Sequence, residues 1–327
     1  MKSVDYTDFR RQLKNRRKRL EEVIQHNQEN SHLTHLLQEV DSALARMNNK
    51  TYGLCEICHD EIEKDRLLAD PLTRFCLDHL DPEQQRALEQ DLYLASRIQG
   101  ALLPARDMQL INWNIYYSYL PAGAVSGDYC DLVNLPEKKG DFLFILGDVS
   151  GKGFAASMLM THLQAMFHSL IAFELPVNQL VERANRLFCE STQSSHYATL
   201  VSGRASASGE VEITNAGHWP LLLIRKNQTE KIEATGMPIG LFCSGQYFAR
   251  RIQLEAGDSL LLYTDGLTEA LVKEHEYGVE RLIQLAAGMH SLSAKEIVDN
   301  CLKDLRRFLN GSTQLDDLSV MSLKWLG

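Results

Sequence analysis

Residues 142–151 read Phe-Leu-Phe-Ile-Leu-Gly-Asp-Val-Ser-Gly, an unbroken apolar run that ends in a glycine and an aspartate. An apolar run of this length, bounded by turn-forming residues, predicts a strand that is buried on both faces. Such a strand belongs inside a layered domain, and here it ends at the carboxylate of Asp148. Asp148 is therefore the first candidate for a functional group.

Three further aspartates stand in comparable settings: Asp128 in Ser-Gly-Asp-Tyr, Asp265 in Thr-Asp-Gly, and Asp316 in Asp-Asp-Leu-Ser. Carboxylates at strand ends, with few lysines or arginines nearby, repel one another unless a cation lies among them. Hard divalent cations favour such all-oxygen ligands. One aspartate of this kind alone would be a turn residue. Four together predict a metal-dependent hydrolase.

The last two-thirds of the chain groups its strands and helices. Helices are predicted at 153–173, 176–192 and 294–309. Strands are predicted at 111–119, 142–146, 198–202, 211–214, 221–224, 259–263 and 318–323. Because the helices are bunched between groups of strands, residues 106–327 are predicted to form an α+β layered domain.

Residues 1–82 predict a helical hairpin followed by a compact cysteine-containing module. Two apolar stripes at helical spacing lie within residues 4–48. Asp81 and Pro82 have the residue types of an N-cap and a first helical position, which predicts a linker helix over 83–105. One face of this helix forms a seam that consists of Leu88, Leu92, Ala95, Gln99 and Leu102. Their alternating spacings of four and three residues predict a short coiled coil and a homodimer.

The cysteine module has the spacing of a zinc site. Cys55 and Cys58 form one pair separated by two residues, and Cys76 and His79 form a second pair with the same spacing. Two such pairs close a tetrahedral site for one structural Zn²⁺, because four protein ligands leave no open position for water. His59 is an alternative fourth ligand, and a loop with incidental cysteines is the alternative to a metal site.

Composition limits the remaining possibilities. The net charge of −9 argues against bulk nucleic-acid binding. No stretch of about 18 apolar residues predicts a membrane span, and the polar residues 1–12 predict no signal peptide. The seven cysteines, three of them clustered, indicate a reducing compartment, so the expected location is the cytoplasm. A basic run between residues 10 and 19 is either a nucleic-acid contact or, as we favour, a solvated helix face that pairs with acids such as Glu21 and Glu22.

The N-terminal module resembles the DksA/TraR type of zinc finger. The resemblance covers about residues 5–80 and rests on Thr-Tyr-Gly-Leu-Cys-Glu-Ile-Cys at 51–58, Ile62, Arg66-Leu67, Ala69, Pro71 and Cys76. It implies a helical hairpin that inserts into a channel of RNA polymerase. Two features depart from the family: His79 stands at the fourth ligand position, and Glu29 is the lone acid at the hairpin tip.

The C-terminal two-thirds resembles the PPM-type metal-dependent protein phosphatases of the SpoIIE/RsbU branch. Seven segments occur in the family order, at 97–104, 126–131, 147–156, 215–218, 236–240, 262–269 and 316–319. The resemblance implies an α-β-β-α sandwich with two Mn²⁺ or Mg²⁺ ions. It also implies that Asp148 bridges the ions, that Asp128 and the carbonyl of Val149 bind one ion, and that Asp265 and Asp316 bind the other.

The implied activity is hydrolysis of phosphoserine or phosphothreonine by water that the two metal ions activate for in-line attack. The implied substrate is a phosphorylated STAS-type anti-anti-sigma protein. Asp131 and Asp317 are candidates for orienting the metal ligands, with capping of a helix or strand as the alternative. His218 is either a general acid or, as we favour, part of a turn between strands. Lys152 does not belong to a phosphate-binding P-loop, because Gly147–Gly151 is one residue short and Gly153 replaces the Ser or Thr.

Two other functions stay open from the sequence. The chain would be a transcription regulator if the hairpin bound RNA polymerase and the phosphatase domain were subordinate. It would be a phosphatase-like binding domain if turnover were absent, although the full set of four aspartates argues against that. Ser126 replaces a glycine that the phosphatase family often has there, and we expect activity to survive because serine fits most turns.

Overall fold

The computed structural model describes residues 7–26, 31–63, 66–67, 70–79, 82–135, 139–151, 153–192, 196–226, 228–273, 275–312, 314 and 316–327. Four residues named above, Glu29, Ala69, Asp81 and Lys152, lie outside these ranges. The chain divides into two compact units, Met1–Asp91 and Leu92–Gly327. The division into 1–82, 83–105 and 106–327 stays a prediction.

The C-terminal unit contains two antiparallel sheets. The five-stranded sheet has the order β3-β4-β5-β6-β9, with β3 Asp128–Asn134, β4 Phe142–Val149, β5 Ala198–Ala205, β6 Glu210–Ala216 and β9 Arg250–Gln253. The six-stranded sheet has the order β1-β2-β13-β10-β7-β8, with β1 Asp107–Leu110, β2 Trp113–Leu120, β13 Leu318–Trp325, β10 Ser259–Tyr263, β7 Leu221–Arg225 and β8 Gln228–Ile232. A short hairpin pairs β11 Leu271–Val272 with β12 His275–Glu276.

In the C-terminal unit, α-helices cover the outer face of each sheet. The helices are α1 Thr7–His26, α2 Ser31–Asn48, α3 Pro82–Leu102, α4 Gly153–Ile171, α5 Val177–Ser191, α6 Asp265–Thr268, α7 Val279–Ala286 and α8 Ala294–Leu309. One buried cluster joins the two sheets, a second joins the five-stranded sheet to α4 and α5, and a third joins the six-stranded sheet to α7 and α8. The predicted α-β-β-α sandwich is confirmed.

Alternation along β4 explains why its sequence is apolar throughout. Phe142, Phe144 and Leu146 pack between the sheets, whereas Leu143 and Ile145 pack against the helices. Because successive side chains of a strand point to opposite faces, Asp148 shares the face of Leu146, between the two sheets. The carboxylate of Asp148 therefore lies at the end of the predicted strand, at the edge of the core between the two sheets.

The predicted strands and helices agree with the structure except in a few places. The strand expected at 111–119 begins later, since Ile111 and Asn112 form the turn between β1 and β2, and Asn112 has a φ of 61°. The predictions omitted β1, β3, β8, β9, β11, β12 and the helices α6 and α7. β3 matters most of these, because Asp128 is its first residue and not a loop residue.

The N-terminal unit contains the predicted helical hairpin and the cysteine module. Phe9 and Leu13 of α1, together with Val40 of α2, pack in one cluster with Tyr52 and Cys55. The basic run lies on exposed faces of α1, where Arg17 forms ion pairs with Asp41 at 2.7 Å and Glu21 at 3.2 Å. Within the described residues, no helix is long and apolar enough to cross a membrane.

The helix α3 does not present the predicted seam to solvent along its full length. Gln99 is buried, and Gln164 donates a hydrogen bond to the carbonyl of Leu102. The apolar side chains that α3 exposes include Tyr93, Leu94 and Ile98. The C-terminal half of the expected seam therefore packs within the C-terminal unit, because a spacing of four and three suits an intramolecular contact as well as a coiled coil.

Candidate active site

Asp128 is the most deeply buried carboxylate of the predicted set. It is 1% exposed, and its Oδ2 accepts hydrogen bonds from Thr264 Oγ1 at 3.0 Å and Ser319 Oγ at 2.6 Å. Its Oδ1 is buried and has no hydrogen-bond partner within the described structure. Burial, followed by the negative charge of Asp148, raises the pKa of the Asp128 carboxyl well above its usual range. A cation bound to Oδ1 would stabilise the ionised form of this carboxyl group.

Asp148 is the direct neighbour of Asp128 across the sheet. The two residues are register partners in the β3–β4 ladder, and on its other side Asp148 is the register partner of Thr199. Gly127 lets the strands approach, since a side chain there would lie 3.2 Å from the carbonyl oxygen of Val149. The two carboxylates and this carbonyl thus come from adjacent positions at one end of the five-stranded sheet.

Asp265 and Asp316 lie beside two neighbouring strands of the six-stranded sheet, Asp265 just after β10 and Asp316 just before β13. Thr264 and Ser319, the two residues that donate to Asp128, precede Asp265 by one residue and follow Asp316 by three residues. Asp317 accepts hydrogen bonds from the backbone N–H groups of Ala122 at 2.7 Å and Gly127 at 2.8 Å. Asp317 therefore orients the turn before Asp128, which fits its predicted supporting role.

Gly266 has a backbone contact that excludes any side chain. A Cβ added there would lie 1.9 Å from the carbonyl oxygen of Asp317. The backbones of Gly266 and Asp317 therefore pack directly against each other.

We expect Gly266→Ala to lower the free energy of unfolding by about 3 kcal/mol, because the backbone at Gly266 or at Asp317 must shift to admit the methyl group. Gly100→Ala is the control, since a Cβ at Gly100 of α3 meets nothing within 4 Å, and we expect it to stabilise by about 1 kcal/mol. Urea denaturation measures both, and equal stability of the two variants would contradict the contact.

A cavity of about 340 Å³ opens beside these aspartates. The residues that line it are Asp148, Ser150, Tyr197, Thr199, Gly217, His218, Trp219, Pro220, Asp265 and Glu269. The described lining contains three carboxylates and no lysine or arginine. An anionic phosphate group could not enter such a cavity without a cation that offsets the negative charge.

The residues fit hard divalent cations. Carboxylates and a backbone carbonyl converge from both sheets, Asp128 Oδ1 is buried without a partner, and the cavity is acidic. Mn²⁺ and Mg²⁺ are bound by this class of oxygen ligands. Asp128, Asp148, Val149, Asp265 and Asp316 could hold such ions.

His218 lies on the cavity wall but is not suited to general acid catalysis. Its Nε2–H donates to the carbonyl of Tyr263 at 3.0 Å, and its Nδ1 accepts from the hydroxyl of Thr199 at 2.8 Å. Burial lowers the pKa of His218 to about 4, so the ring is neutral at neutral pH. The favoured interpretation, a turn between strands, is confirmed, since His218 lies between β6 and β7.

The two hydrogen bonds give His218 a positioning role. Thr199 of β5 is the register partner of Asp148, and Tyr263 of β10 precedes Asp265 by two residues, so the ring joins β5 to β10 beside these two aspartates. We expect His218→Ala to raise the Mn²⁺ concentration for half-maximal activity about tenfold and to lower the Tm of the metal-free protein. His218→Gln should recover part of both losses. An unchanged metal requirement and Tm in His218→Ala would contradict the role.

Asp131 does not join the aspartate cluster through any of the described hydrogen bonds. Its Oδ2 accepts from Tyr129 Oη at 3.0 Å and bonds His168 Nε2 at 2.7 Å, and its Oδ1 accepts from the Leu132 N–H. Asp131 therefore joins β3 to α4, on the face opposite Asp128. Its predicted role in orienting metal ligands is replaced by this contact with the helix layer.

The four predicted zinc ligands form a second cluster, in the N-terminal unit. One ligand atom from each of Cys55, Cys58, Cys76 and His79 lies within 4.8 Å of the others. The sulfurs of Cys58 and Cys76 are 3.8 Å apart, and Cys76 Sγ lies 3.2 Å from His79 Nδ1. Zn–S bonds of about 2.3 Å in a tetrahedron place two sulfurs about 3.8 Å apart, so the cluster fits zinc. His59 is not part of it.

Hydrogen bonds favour the thiolate at Cys55. Burial raises the pKa of the Cys55 thiol, but the backbone N–H groups of Cys58 and Cys76 outweigh burial and lower that pKa to about 6. At Cys58 a backbone hydrogen bond at Asp60 lowers the thiol pKa, but burial and the sulfurs of Cys55 and Cys76 outweigh it and raise that pKa to about 11. Arg46 of α2 anchors the module to the hairpin, since its guanidinium donates to the carbonyls of Leu72 and Thr73 at 3.2 Å.

Sequence models of known families match segments of both units. Residues 138–326 match the sequence model of Stage II sporulation protein E (SpoIIE), and residues 50–78 match that of the prokaryotic DksA/TraR C4-type zinc finger. The chain belongs to the SpoIIE family. Two of the matched relatives, RsbU and RsbP of Bacillus subtilis, are phosphoserine phosphatases. The finger match ends one residue before His79, which stands where the C4-type finger would have its fourth cysteine.

Relatives match the chain at low identity over most of its length. Protein IcfG of Synechocystis sp. is 26% identical over 265 residues, which are 71% of this chain and 41% of that protein. Phosphoserine phosphatase RsbU of Bacillus subtilis is 24% identical over 243 residues, which are 73% of this chain and 71% of RsbU. The match therefore spans about two-fifths of IcfG.

Solved structures share the fold of the SpoIIE-family domain. The RsbU and RsbW domains of Rv1364c from Mycobacterium tuberculosis give a TM-score of 0.59 at 27% identity, covering 67% of this chain and 62% of that chain. The SiaA-PP2C domain of Pseudomonas aeruginosa gives a TM-score of 0.66 at 16% identity, covering 76% of this chain and all of that domain. The second likeness is one of fold alone.

Proposed function

We propose that this SpoIIE-family chain is a metal-dependent serine/threonine protein phosphatase that hydrolyses phosphoserine or phosphothreonine on a partner-switching protein of the STAS type. The observation that carries the proposal is the buried, unpartnered Oδ1 of Asp128 at the point where both sheets end, beside an acidic cavity. This arrangement is unfavourable by itself, and divalent cations would make it both stable and able to bind phosphate.

The proposed ligands divide between the two sheets. Asp148 would bridge two Mn²⁺ or Mg²⁺ ions, Asp128 and the Val149 carbonyl would bind one, and Asp265 and Asp316 would bind the other. Hydrogen bonds from Thr264 and Ser319 fix Asp128 Oδ2, so Oδ1 is the atom that would bind an ion. Asp317 holds the Gly127 turn in place.

Bound ions of this kind supply Lewis acidity and lower the pKa of water, which is the chemistry that phosphoester hydrolysis needs. The protein groups do the remaining work. The cavity would admit a phosphorylated side chain, and the neutral His218 joins β5, which neighbours the strand of Asp148, to β10, which precedes Asp265. With the nucleophile supplied by water, no covalent enzyme intermediate is required.

Phosphoserine as the group hydrolysed is supported by the match to RsbU, which is a phosphoserine phosphatase. The test is phosphate release by the full chain with Mn²⁺ from a phosphorylated STAS-domain protein and from a short peptide with the same phosphoserine. We expect a kcat/KM at least about tenfold higher for the folded protein, since remote contacts add transition-state binding. Equal kcat/KM values for the protein and the peptide would contradict recognition of the folded partner but not the phosphatase activity. No phosphate release from either substrate would refute the activity.

We also propose that α3 forms a homodimer and transmits its geometry to the metal site. The exposed side chains Leu94 and Ile98, one turn apart, form an apolar edge that a second copy would cover. Leu94→Glu with Ile98→Glu should convert a dimer to a monomer in analytical ultracentrifugation. A monomeric wild-type chain, or a dimer that the double change leaves intact, would contradict this interface.

Gln99 connects α3 to the turn before Asp128. Its Nε2 donates to the Ser126 carbonyl at 2.7 Å, its Oε1 accepts from the Ser126 N–H at 2.9 Å, and Ser126 Oγ accepts from the Asp128 N–H at 3.0 Å. We expect Gln99→Ala to raise the Mn²⁺ requirement about tenfold by freeing this turn. Gln90→Ala, on the exposed part of α3, is the control. The same Mn²⁺ titration curve for both variants would show that α3 does not position Asp128.

The N-terminal unit is proposed to bind one structural Zn²⁺. A second candidate function, binding of RNA polymerase through the hairpin, is favoured by the DksA/TraR match at 50–78 beside the α1–α2 hairpin. Co-purification of the full chain with polymerase from its own cells tests it. Loss of co-purification in a variant with the α1–α2 hairpin surface altered, with phosphatase activity unchanged, would support it, and no co-purification would reject it.

A further inference from the structure

The helix α5 presents one strip of side chains to the segment 240–247, which lies between β8 and β9. Asn178, Asn185 and Cys189 are spaced by seven and four residues, so they lie on one face of the helix. Asn185 accepts a hydrogen bond from the Gly240 N–H at 2.8 Å and donates to the Phe242 carbonyl at 2.9 Å. Asn178 donates to the Tyr247 carbonyl at 3.4 Å.

Cys189 is the third member of this strip, and it faces Cys243. Asn185 Nδ2 also lies 3.4 Å from the carbonyl oxygen of Cys243, which brings residue 243 beside the helical turn that carries Cys189. Burial, followed by the neighbouring Cys243, raises the pKa of the Cys189 thiol to about 11, so Cys189 is the less reactive member of the pair. Cys243 is exposed and Cys189 is half-buried, so solvent species reach this pair.

The other five cysteines are protected from oxidation. Cys55, Cys58 and Cys76 belong to the zinc cluster. Cys130 and Cys301 are buried, and burial raises the pKa of the Cys301 thiol to about 12 and that of Cys130 well above its usual range. A thiol that is buried and protonated reacts slowly with peroxides. Cys189 and Cys243 are therefore the accessible neighbouring pair among the seven cysteines.

We propose that Cys189 and Cys243 form an oxidation site at which a peroxide converts the two thiols into an intramolecular disulfide. In the first step the exposed Cys243 thiolate attacks one peroxide oxygen, the O–O bond breaks, and Cys243 becomes a sulfenic acid while hydroxide leaves. In the second step the sulfur of Cys189 displaces the sulfenic hydroxyl, which departs as water with the proton of the Cys189 thiol. Hydrogen peroxide is reduced to two waters, and both thiols are oxidised.

The disulfide would fix a segment that borders the cavity. Ile239 and Ala198 exchange two backbone hydrogen bonds of 2.8 Å, and Ala198 lies between the cavity residues Tyr197 and Thr199. Pro238 packs against Gly217, another cavity residue. A covalent bond at residue 243 therefore restrains the cavity wall from outside, independently of whether the proposed phosphatase activity holds.

The test is mass spectrometry of the full-length, zinc-bound protein after treatment with hydrogen peroxide and alkylation of the remaining thiols. We expect two thiols to be lost, the tryptic peptides 187–204 and 232–250 to be linked within one chain, and dithiothreitol to reverse the change. Cys301→Ser should behave as the wild type. Cys189→Ser should stop at a Cys243 sulfenic acid that dimedone traps. Oxidation of Cys243 to sulfinic acid without the linked peptide, or a link formed between chains, would overturn the proposal.

Discussion

Asp148→Asn is expected to lower the kcat/KM for a phosphoserine substrate about a thousandfold or more at saturating Mn²⁺. The proposed bridging carboxylate contributes to both cation positions, and loss of several kcal/mol of transition-state charge stabilisation corresponds to this factor. Asp131→Asn is the matched control, because Asp131 is a buried carboxyl three residues after Asp128 but bonds the helix layer instead. We expect its activity to stay within a few fold of the wild type while it is folded.

Although Asp148→Asn is expected to lower activity, we expect it to stabilise the metal-free protein. Asp148 raises the pKa of buried Asp128 by charge repulsion, so removal of its charge should stabilise the metal-free fold by about 1 kcal/mol. Saturating Mn²⁺ should raise the Tm of the wild type and not that of the variant. Calorimetry with and without Mn²⁺ measures both. A variant that is less stable without metal, or that Mn²⁺ stabilises as much as the wild type, would contradict the assignment.

His79→Ala is expected to abolish zinc binding and to unfold the cysteine module. The apparent free energy of a structural zinc site is about 10 kcal/mol or more, which exceeds the stability that the small core around Cys55 and Cys76 can supply alone. His59→Ala is the matched control, since His59 lies outside the ligand cluster. Metal analysis should give one zinc per chain for the control and none for His79→Ala, and circular dichroism should show the loss of structure.

The C-terminal unit provides an internal reference for that experiment. Its hydrogen bonds and core clusters are formed by residues of that unit, so hydrolysis of a short phosphopeptide should survive His79→Ala. Zinc retained by His79→Ala and lost by His59→Ala would reverse the assignment of the fourth ligand. An unchanged circular dichroism spectrum after measured loss of zinc would show that the site is not structural.

The sequence predicts the position of the aspartates better than their surroundings. Asp148 and Asp265 follow apolar runs that are long enough to predict a strand, so the place where each strand ends is visible. Asp128 begins a strand that the prediction omitted, because a serine and a glycine precede it and suggest a loop. The alternation of β3 would have revealed it, since Tyr129 and Asp131 face the helices and Cys130 and Leu132 face the other sheet.

Contacts between distant parts of the chain could not be predicted. Thr264 and Ser319 are 136 and 191 residues away from Asp128, and only the packing of the two sheets brings their hydroxyls to its carboxylate. His218 depends on the same packing. Gln99 illustrates a further limit, since the pattern that places it on a helix face does not tell whether that face meets a second copy or the chain itself.

The most direct test of the central claim is phosphate release from a phosphoserine protein by the purified full chain, measured against the concentration of Mn²⁺ after prior removal of divalent ions. We predict no release without the ion, a saturable rise as Mn²⁺ is added, and no such rise in Asp148→Asn. Release that is independent of Mn²⁺ and Mg²⁺, or equal rates in the wild type and Asp148→Asn, would contradict a phosphatase built on these four aspartates.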